Sequence, residues 1–300
     1  MKIKNFNEIY ENMIRQKNPM VDKLQRNKQI SAIAFFALVI LLFFAYGFIA
    51  KNTVVFVIIL VLAVLDLFWY LISAGTYNSV YKEEIIGLLV RSYSEGLRYK
   101  KGYGVSRADY NAANFPEYYD LFSSEDLIQG NVDNEFNIKM SEVHTQKEER
   151  EVDDEGHVQT HYVTVFRGIY GFVNIREILM PEFYVTSNRI LGKYNSTRIE
   201  IDSAQFEKNY DLYTDQKIET MEIFTADLIE EFNKLRDDLK RIVEVKAHNG
   251  NLYFRISMGN SFEAPNFKKS LDFDLMYKNF RIIDNPIRLI SKIIENTRNV

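Results

Sequence analysis

Cysteine is absent from the 300 residues, tryptophan occurs once, histidine four times and proline five times. Without a thiol there is no disulfide frame, no thiolate metal site and no cysteine nucleophile. Of the four histidines, His144, His157, His161 and His248, only His157 and His161 share a suggestive spacing. Four positions apart on a strand, they would share a face but stand about 13 Å from each other, too far to hold one ion. They read as surface residues of a hairpin. There is no P-loop, no G-x-S-x-G, no G-x-G-x-x-G after a strand and no kinase-like set. Lys101-Gly102-Tyr103-Gly104 and Arg167-Gly168-Ile169-Tyr170-Gly171 are too short for phosphate loops. No catalytic, cofactor-binding or metal-ligating residue is therefore nominated, and no cofactor is expected.

Charge is absent where apolar residues are densest. Ser31 to Ala50 reads SAIAFFALVILLFFAYGFIA, with no charged side chain. A helix of about 20 residues matches the roughly 30 Å hydrocarbon layer of a bilayer. Lys51, Asn52 and Thr53 interrupt, and Val54 to Ala74 is a second run carrying one charge, Asp66. So short a link forces two antiparallel neighbours, and both runs are apolar on every face rather than along a stripe. The expectation is a transmembrane helical hairpin over residues 30–74, preceded by a polar, amphipathic segment over 1–29. That opening has no apolar core before a small-residue cleavage site, so it does not read as a cleavable signal peptide.

Orientation follows from positive charge. Lys2, Lys4, Arg15, Lys17, Lys23, Arg26 and Lys28 precede the first run; Lys82, Arg91, Arg98, Lys100 and Lys101 follow the second; only Lys51 lies between. Both termini are expected in the cytoplasm. Asp66 is the candidate intramembrane polar site, because an aspartate at the centre of a spanning helix costs about 2.5–3.5 kcal/mol on insertion scales. One reading makes it an ion or proton site, or a contact between protomers. The preferred one takes Trp69 and Tyr70 as an interfacial belt, with Asp66 near the cytoplasmic headgroups, since neither run holds a second ionisable residue for a relay.

Beyond the second run the pattern is that of a soluble domain over 75–300. Val80, Ile85, Leu88, Leu89 and Leu97 continue a helical spacing, with no proline to stop a stalk from Asn78 to Leu97. The stretch after Lys100 reads as irregular, with a short helix near Phe115 to Phe122. Alternation from Glu135 to Ile175 predicts a long β-hairpin turning at Asp153, Asp154, Glu155 and Gly156. Further strands are predicted at Phe183–Val185, Arg198–Ile201, Phe206–Leu212 and Ile218–Phe224. Thr225 reads as the N-cap of a helix with Leu228, Ile229, Phe232, Leu235, Leu239 and Ile242 on one apolar face. Asn249-Gly250 marks a tight hairpin, and a last helix is predicted from Pro286. Elements in blocks rather than strict alternation predict an α+β fold with a mostly antiparallel sheet. Ahead of the first run, Ile3, Phe6, Ile9, Tyr10, Met13 and Ile14 predict an amphipathic helix suited to anionic lipid or to the protein's own surface.

After Ala74 there are 29 basic against 37 acidic residues, which makes nucleic acid a poor partner. The segments YKEEIIGLLV, LFSSEDLIQGNV, IKMSEVHTQ, TVFRGIYGFVNI, SAQFEKNYDLYTDQKIETMEIFTADLIEEFNKL, NGNLYFRIS and SFEAP resemble a bacterial family known as domain of unknown function 3137. The resemblance implies a pair of membrane helices and a cytoplasmic α+β domain in a bacterial inner membrane, and it lends no catalytic residue. The expectation is a tethered scaffold or regulatory module whose partners are the bilayer and either another protein or its own copies. The alternatives are an enzyme on a lipid-linked or envelope substrate, using carboxylates such as Asp126, Asp215 or Glu219, and an oligomeric transport component built around Asp66.

Overall fold

A computed structural model describes residues 5–49, 53–152, 157–176, 178–187, 196–266 and 268–299. Its contacts divide the chain into two compact units. The first comprises Met1–Asn7, Val90–Ser261 and Tyr277–Val300, and the second Glu8–Leu89 and Phe262–Met276.

The second unit is helical: α1 (Phe6–Gln16), α2 (Pro19–Ile49) and α3 (Thr53–Tyr81), the last running through one π-helical turn at Lys82–Ile86 into α4 (Gly87–Tyr93). The π turn is where the regular ladder slips by one residue. Large apolar side chains stand exposed around α2 and α3, with Phe44 at 81% and Val54 at 68%. Towards the polar ends of these helices the packing is different. Lys28 donates to Asn266 Oδ1 at 2.9 Å, Ser270 Oγ donates to Asp22 at 2.7 Å, and Lys82 pairs with Glu263 at 2.9 Å. On α1, Ile9 and Met13 are buried and the Tyr10 hydroxyl donates to the Leu271 carbonyl at 2.8 Å. The amphipathic face of α1 thus packs on the protein itself; Ile3 lies outside the described residues.

The first unit is α+β around one nine-stranded sheet, in the order β1-β2-β3-β4-β9-β8-β5-β7-β6, and every pairing is antiparallel. The strands are β1 (Leu97–Lys100), β2 (Leu121–Val132), β3 (Phe136–Val152), β4 (Val158–Asn174), β5 (Phe183–Ser187), β6 (Arg198–Ile199), β7 (Tyr210–Tyr213), β8 (Val243–His248) and β9 (Asn251–Ser257). The helices are α5 (Arg107–Ala112), α6 (Ala204–Asn209), α7 (Lys217–Ile223), α8 (Ala226–Leu239) and α9 (Phe273–Arg298). Successive side chains of a strand point to opposite faces, and β5 shows what each face meets. Phe183 packs on Phe224 at 5.2 Å, within a cluster that includes Phe206, Tyr210 and Phe232, while Tyr184 packs on Phe115 at 5.9 Å on the other side. That other side carries an aromatic core of Tyr110, Phe166, Tyr170 and Tyr253.

β3 and β4 pair along their full length, from Ile138↔Val173 to Val152↔Val158. Their neighbours do not follow them outward. β2 leaves β3 at Gln146, and β9 accompanies β4 only from Gly168 inward. The outer part is a two-stranded arm; the expected turn at Asp153–Gly156 lies outside the described residues. Gly168 is required where β9 joins: its φ is +156°, and a Cβ there would sit 2.0 Å from the Ile256 carbonyl oxygen.

Several sequence expectations need correction. The helix expected near Phe115 lies earlier, as α5, because Ser106 and Asp109 close a capping box: Ser106 Oγ accepts from the Asp109 amide at 3.0 Å and Asp109 from the Ser106 amide at 3.3 Å. The residues from Leu121 form β2. Phe206 begins no strand, since Ser203 caps α6, and Ile218–Phe224 is mostly α7. The last helix starts at Phe273, with Pro286 inside it. Met276, Phe280, Ile283, Ile287, Ile290 and Ile294 are buried at helical spacing on both sides of the proline, and that burial outweighs the lost hydrogen bond. The helix expected to run on to Leu97 ends at Tyr93, and Leu97 begins β1. As expected, Thr225 Oγ1 accepts from the Leu228 amide, and Asn249 and Gly250 take φ of +49° and +71° in the β8–β9 turn.

Candidate functional site

Asp66 is half-buried on α3 and faces α2, where Ser31 Oγ donates to Oδ1 at 3.3 Å. Its other carboxylate oxygen is buried without a partner among the described residues. Ser31 is the first residue of the charge-free stretch, so the carboxylate lies level with the polar end of that stretch on α2. It is packed against a hydroxyl.

The first unit gathers its carboxylates elsewhere. Between Glu125 and Ile128 the β2–β3 register slips, and Asp126 takes φ of +59° at complete burial. Asp tolerates this left-handed conformation better than most residues, and a bulge of this kind re-aims a side chain. Here it turns Asp126 towards Tyr99, whose hydroxyl donates to Oδ1 at 2.5 Å. It also brings carboxylate oxygens of Glu125, Asp126 and Glu142 within 4.8 Å of one another. Oxygen donors alone would suit a hard divalent cation. Glu142 is itself held by the Ser261 amide.

Beside this cluster opens a cavity of about 330 Å³, lined by Ser123, Ser124, Glu142, His144, Arg167 and Asn260, among others. Burial, and then the nearby Arg167 charge, push the His144 imidazole below its usual range, and its Nε2 lies 3.0 Å from Thr164 Oγ1. Asp126 is thus brought together with two other acids. Asp215 instead accepts from the Thr197 amide at 3.0 Å, and Glu219 lines a separate cavity of about 690 Å³ with Pro181, Gln216 and Ile223. His161 pairs with Glu149 across the arm at 3.5 Å, His157 is exposed, and His248 meets Glu182 at 3.2 Å.

Sequence reasoning missed two charged residues whose alternation should have marked them. Glu142 falls in the buried row of Ile138 and Met140 on β3, and Arg255 in the row of Tyr253 on β9. A charge inside an apolar period-two row is the available signal. Arg255 is 2% exposed. Nη1 donates to Glu117 Oε2 at 2.5 Å, and Nη2 donates to Glu117 Oε1 at 2.7 Å and to Glu244 Oε2 at 2.8 Å. The Tyr184 hydroxyl donates to Glu244 as well, and the guanidinium lies 4.1 Å from the centre of the Phe115 ring. Burial opposes this charge, but Glu244 and then Glu117 outweigh it and hold the guanidinium protonated. Next to it, burial pushes the Tyr110 hydroxyl up to about 12. The cluster is a fixed ionic clamp among neutral rings.

A family model described as a protein of unknown function, DUF3137, matches residues 164–295. The chain resembles that family. No curated protein and no solved structure matches. The DUF3137 match covers less than half of the chain, from within β4 to near the end of α9. It includes Arg167, Arg255 and the block from Phe206 to Leu235, and leaves out the apolar helices and the three clustered acids. It carries no activity, so function rests on the residues.

Proposed function

We propose that the chain is a membrane protein of a bacterial inner membrane, with α2 and α3 crossing the bilayer as a hairpin and both termini in the cytoplasm. Its first unit serves there as a tethered scaffold or regulatory module that binds protein. The observation that carries the anchor is exposure. Only 11% and 6% of the most apolar stretches of the two long helical segments are buried, which supports a membrane environment over the core of a soluble protein, where apolar faces are covered. Hydrocarbon is the environment that removes such surface from water. The lysines and arginines on either side of the pair support cytoplasmic termini.

The module reading is supported by the large antiparallel sheet and by its arm, whose strand edges lie outside the sheet's own pairing. Tethering raises the local concentration at which such a surface meets a partner in the same membrane. Since the chain has no native cysteine, single cysteines at Asn52 and at Asn299 report topology. On intact cells a membrane-impermeant maleimide should label the first and not the second. Labelling at Asn299 without labelling at Asn52 would sink the proposal.

A further inference from the structure

The two strands of the arm present unlike edges. Outward of Gln146, β3 carries Lys147, Glu148, Glu149, Arg150 and Glu151, the charges by which natural sheets guard an edge against pairing. β4 carries none. From Val158 to Phe166 it reads VQTHYVTVF, without lysine, arginine, acid, proline or glycine. Five of its nine residues are valine, threonine or tyrosine at exposed positions: Val158, Thr160, Tyr162, Val163 and Thr164. Val158 is 61% and Tyr162 49% exposed. Among the described residues no strand pairs with this stretch on the side away from β3, because β9 begins at Gly168. The one register shift on the arm lies at its root, between Thr145 and Gln146, where Val165 is the extra residue of β4, so the edge is unbroken from Val158 to Thr164. About 20 Å of regular strand from Val158 to Thr164, rich in residues that favour sheets, is left as a template.

We propose that this β4 edge pairs antiparallel with the same edge of a second copy, joining two arms into a four-stranded ribbon about a two-fold axis at Tyr162. The proposal rests on the reading of the first unit as a membrane-tethered interaction module and names its partner. Three features favour a second copy. A two-fold at Tyr162 sets Tyr162 against Tyr162, Thr160 against Thr164 and His161 against Val163, pairs of the aromatic and β-branched kind that stabilise sheets, with no like charges opposed. The charged β3 strands become the outer edges of the ribbon, where they guard it. Antiparallel pairing also points the two acidic arm ends in opposite directions, and anchoring in one bilayer keeps the copies at high local concentration.

The full-length protein in native membranes carries the test. Tyr162→Cys should give a disulfide-linked dimer under mild oxidation, because directly opposed Cβ atoms lie about 4.5–5.5 Å apart, near disulfide reach. Glu151→Cys, on the guarded edge, should not. In detergent, Thr160→Lys combined with Val163→Lys should raise the dimer dissociation constant at least tenfold. These positions are exposed, so the thermal midpoint, compared below the wild-type dissociation constant where both proteins are monomeric, should stay unchanged. The proposal is overturned by a monomeric wild type, by equal cross-linking at Glu151→Cys, by a dimer that survives the two lysines, or by Tyr162→Cys cross-linking to a different protein. The last result would leave the tethered-module reading standing with another partner, whereas the topology labelling tests the anchor separately.

Discussion

Removing the Arg255 guanidinium should destabilise the first unit by several kcal/mol, about 4 in all. In Arg255→Met the side chain keeps much of its length, but Glu117 loses its bidentate partner and Glu244 keeps only the Tyr184 hydroxyl. Breaking a buried ion pair from one side costs about 3–5 kcal/mol, because the remaining charge stays desolvated. The Glu117 side chain is 28% exposed and that of Glu244 12%. Glu117 recovers water in part and Glu244 hardly at all, so the lower end of that range applies. The lost stacking on Phe115 adds about 1 kcal/mol. For a domain of this size each kcal/mol shifts the midpoint by about 2–4 °C, which gives a drop near 10 °C.

Adding Glu244→Gln to Arg255→Met separates charge from packing. The amide removes the stranded charge while its oxygen can still accept from Tyr184, so the double variant should melt above the single one. Far-UV circular dichroism is the suitable probe, since the single tryptophan, Trp69, lies on α3 and would not follow the sheet. A single variant within about 2 °C of the parent, on the same scale, would refute the reasoning. So would a double variant no more stable than the single.

Two further outcomes follow from burial of acids. Burial raises the Asp284 pKa above its unfolded value of 3.8, with Arg288 and the Tyr93 hydrogen bond only partly opposing. A raised acid contributes stability below the unfolded value and loses it as pH rises through the native one; chemical denaturation from pH 4 to 7 should show a decline that Asp284→Asn removes, and an identical decline in the variant would refute it. Asp66→Asn keeps an acceptor for Ser31, so abundance, membrane insertion and oligomeric state should be unchanged; a lost oligomer on native gels, or a changed current in planar bilayers, would instead make Asp66 a pore or protomer contact.

How much was legible in the sequence depended on whether one period dominated a segment. The apolar runs, the 135–175 alternation and the Asn249-Gly250 turn each carry a single unbroken signal, and their elements stand where expected. Between Ser203 and Phe224 the signals compete. Phe206, Tyr210 and Leu212 alternate like a strand, but Ser203 satisfies the Phe206 amide and starts a helical turn, so one stretch becomes α6 followed directly by β7. At Pro286 a local breaker lost to tertiary burial, because Ile283 and Ile287 are both fully buried and a helix ending there would have uncovered one of them. The acidic cluster was the least legible feature, for a definite reason: Glu125 faces Glu142 across the strands, but Asp126 joins them only because the register slips after Glu125. Period-two reasoning assumes an even register, and a bulge is the place where that assumption fails and a side chain is turned towards new neighbours. The β4 edge shows the converse. Its lack of charge was plain in the text, but it acquires meaning only from the topology, which leaves that strand, and not the charged one beside it, without the guard an exposed edge normally carries.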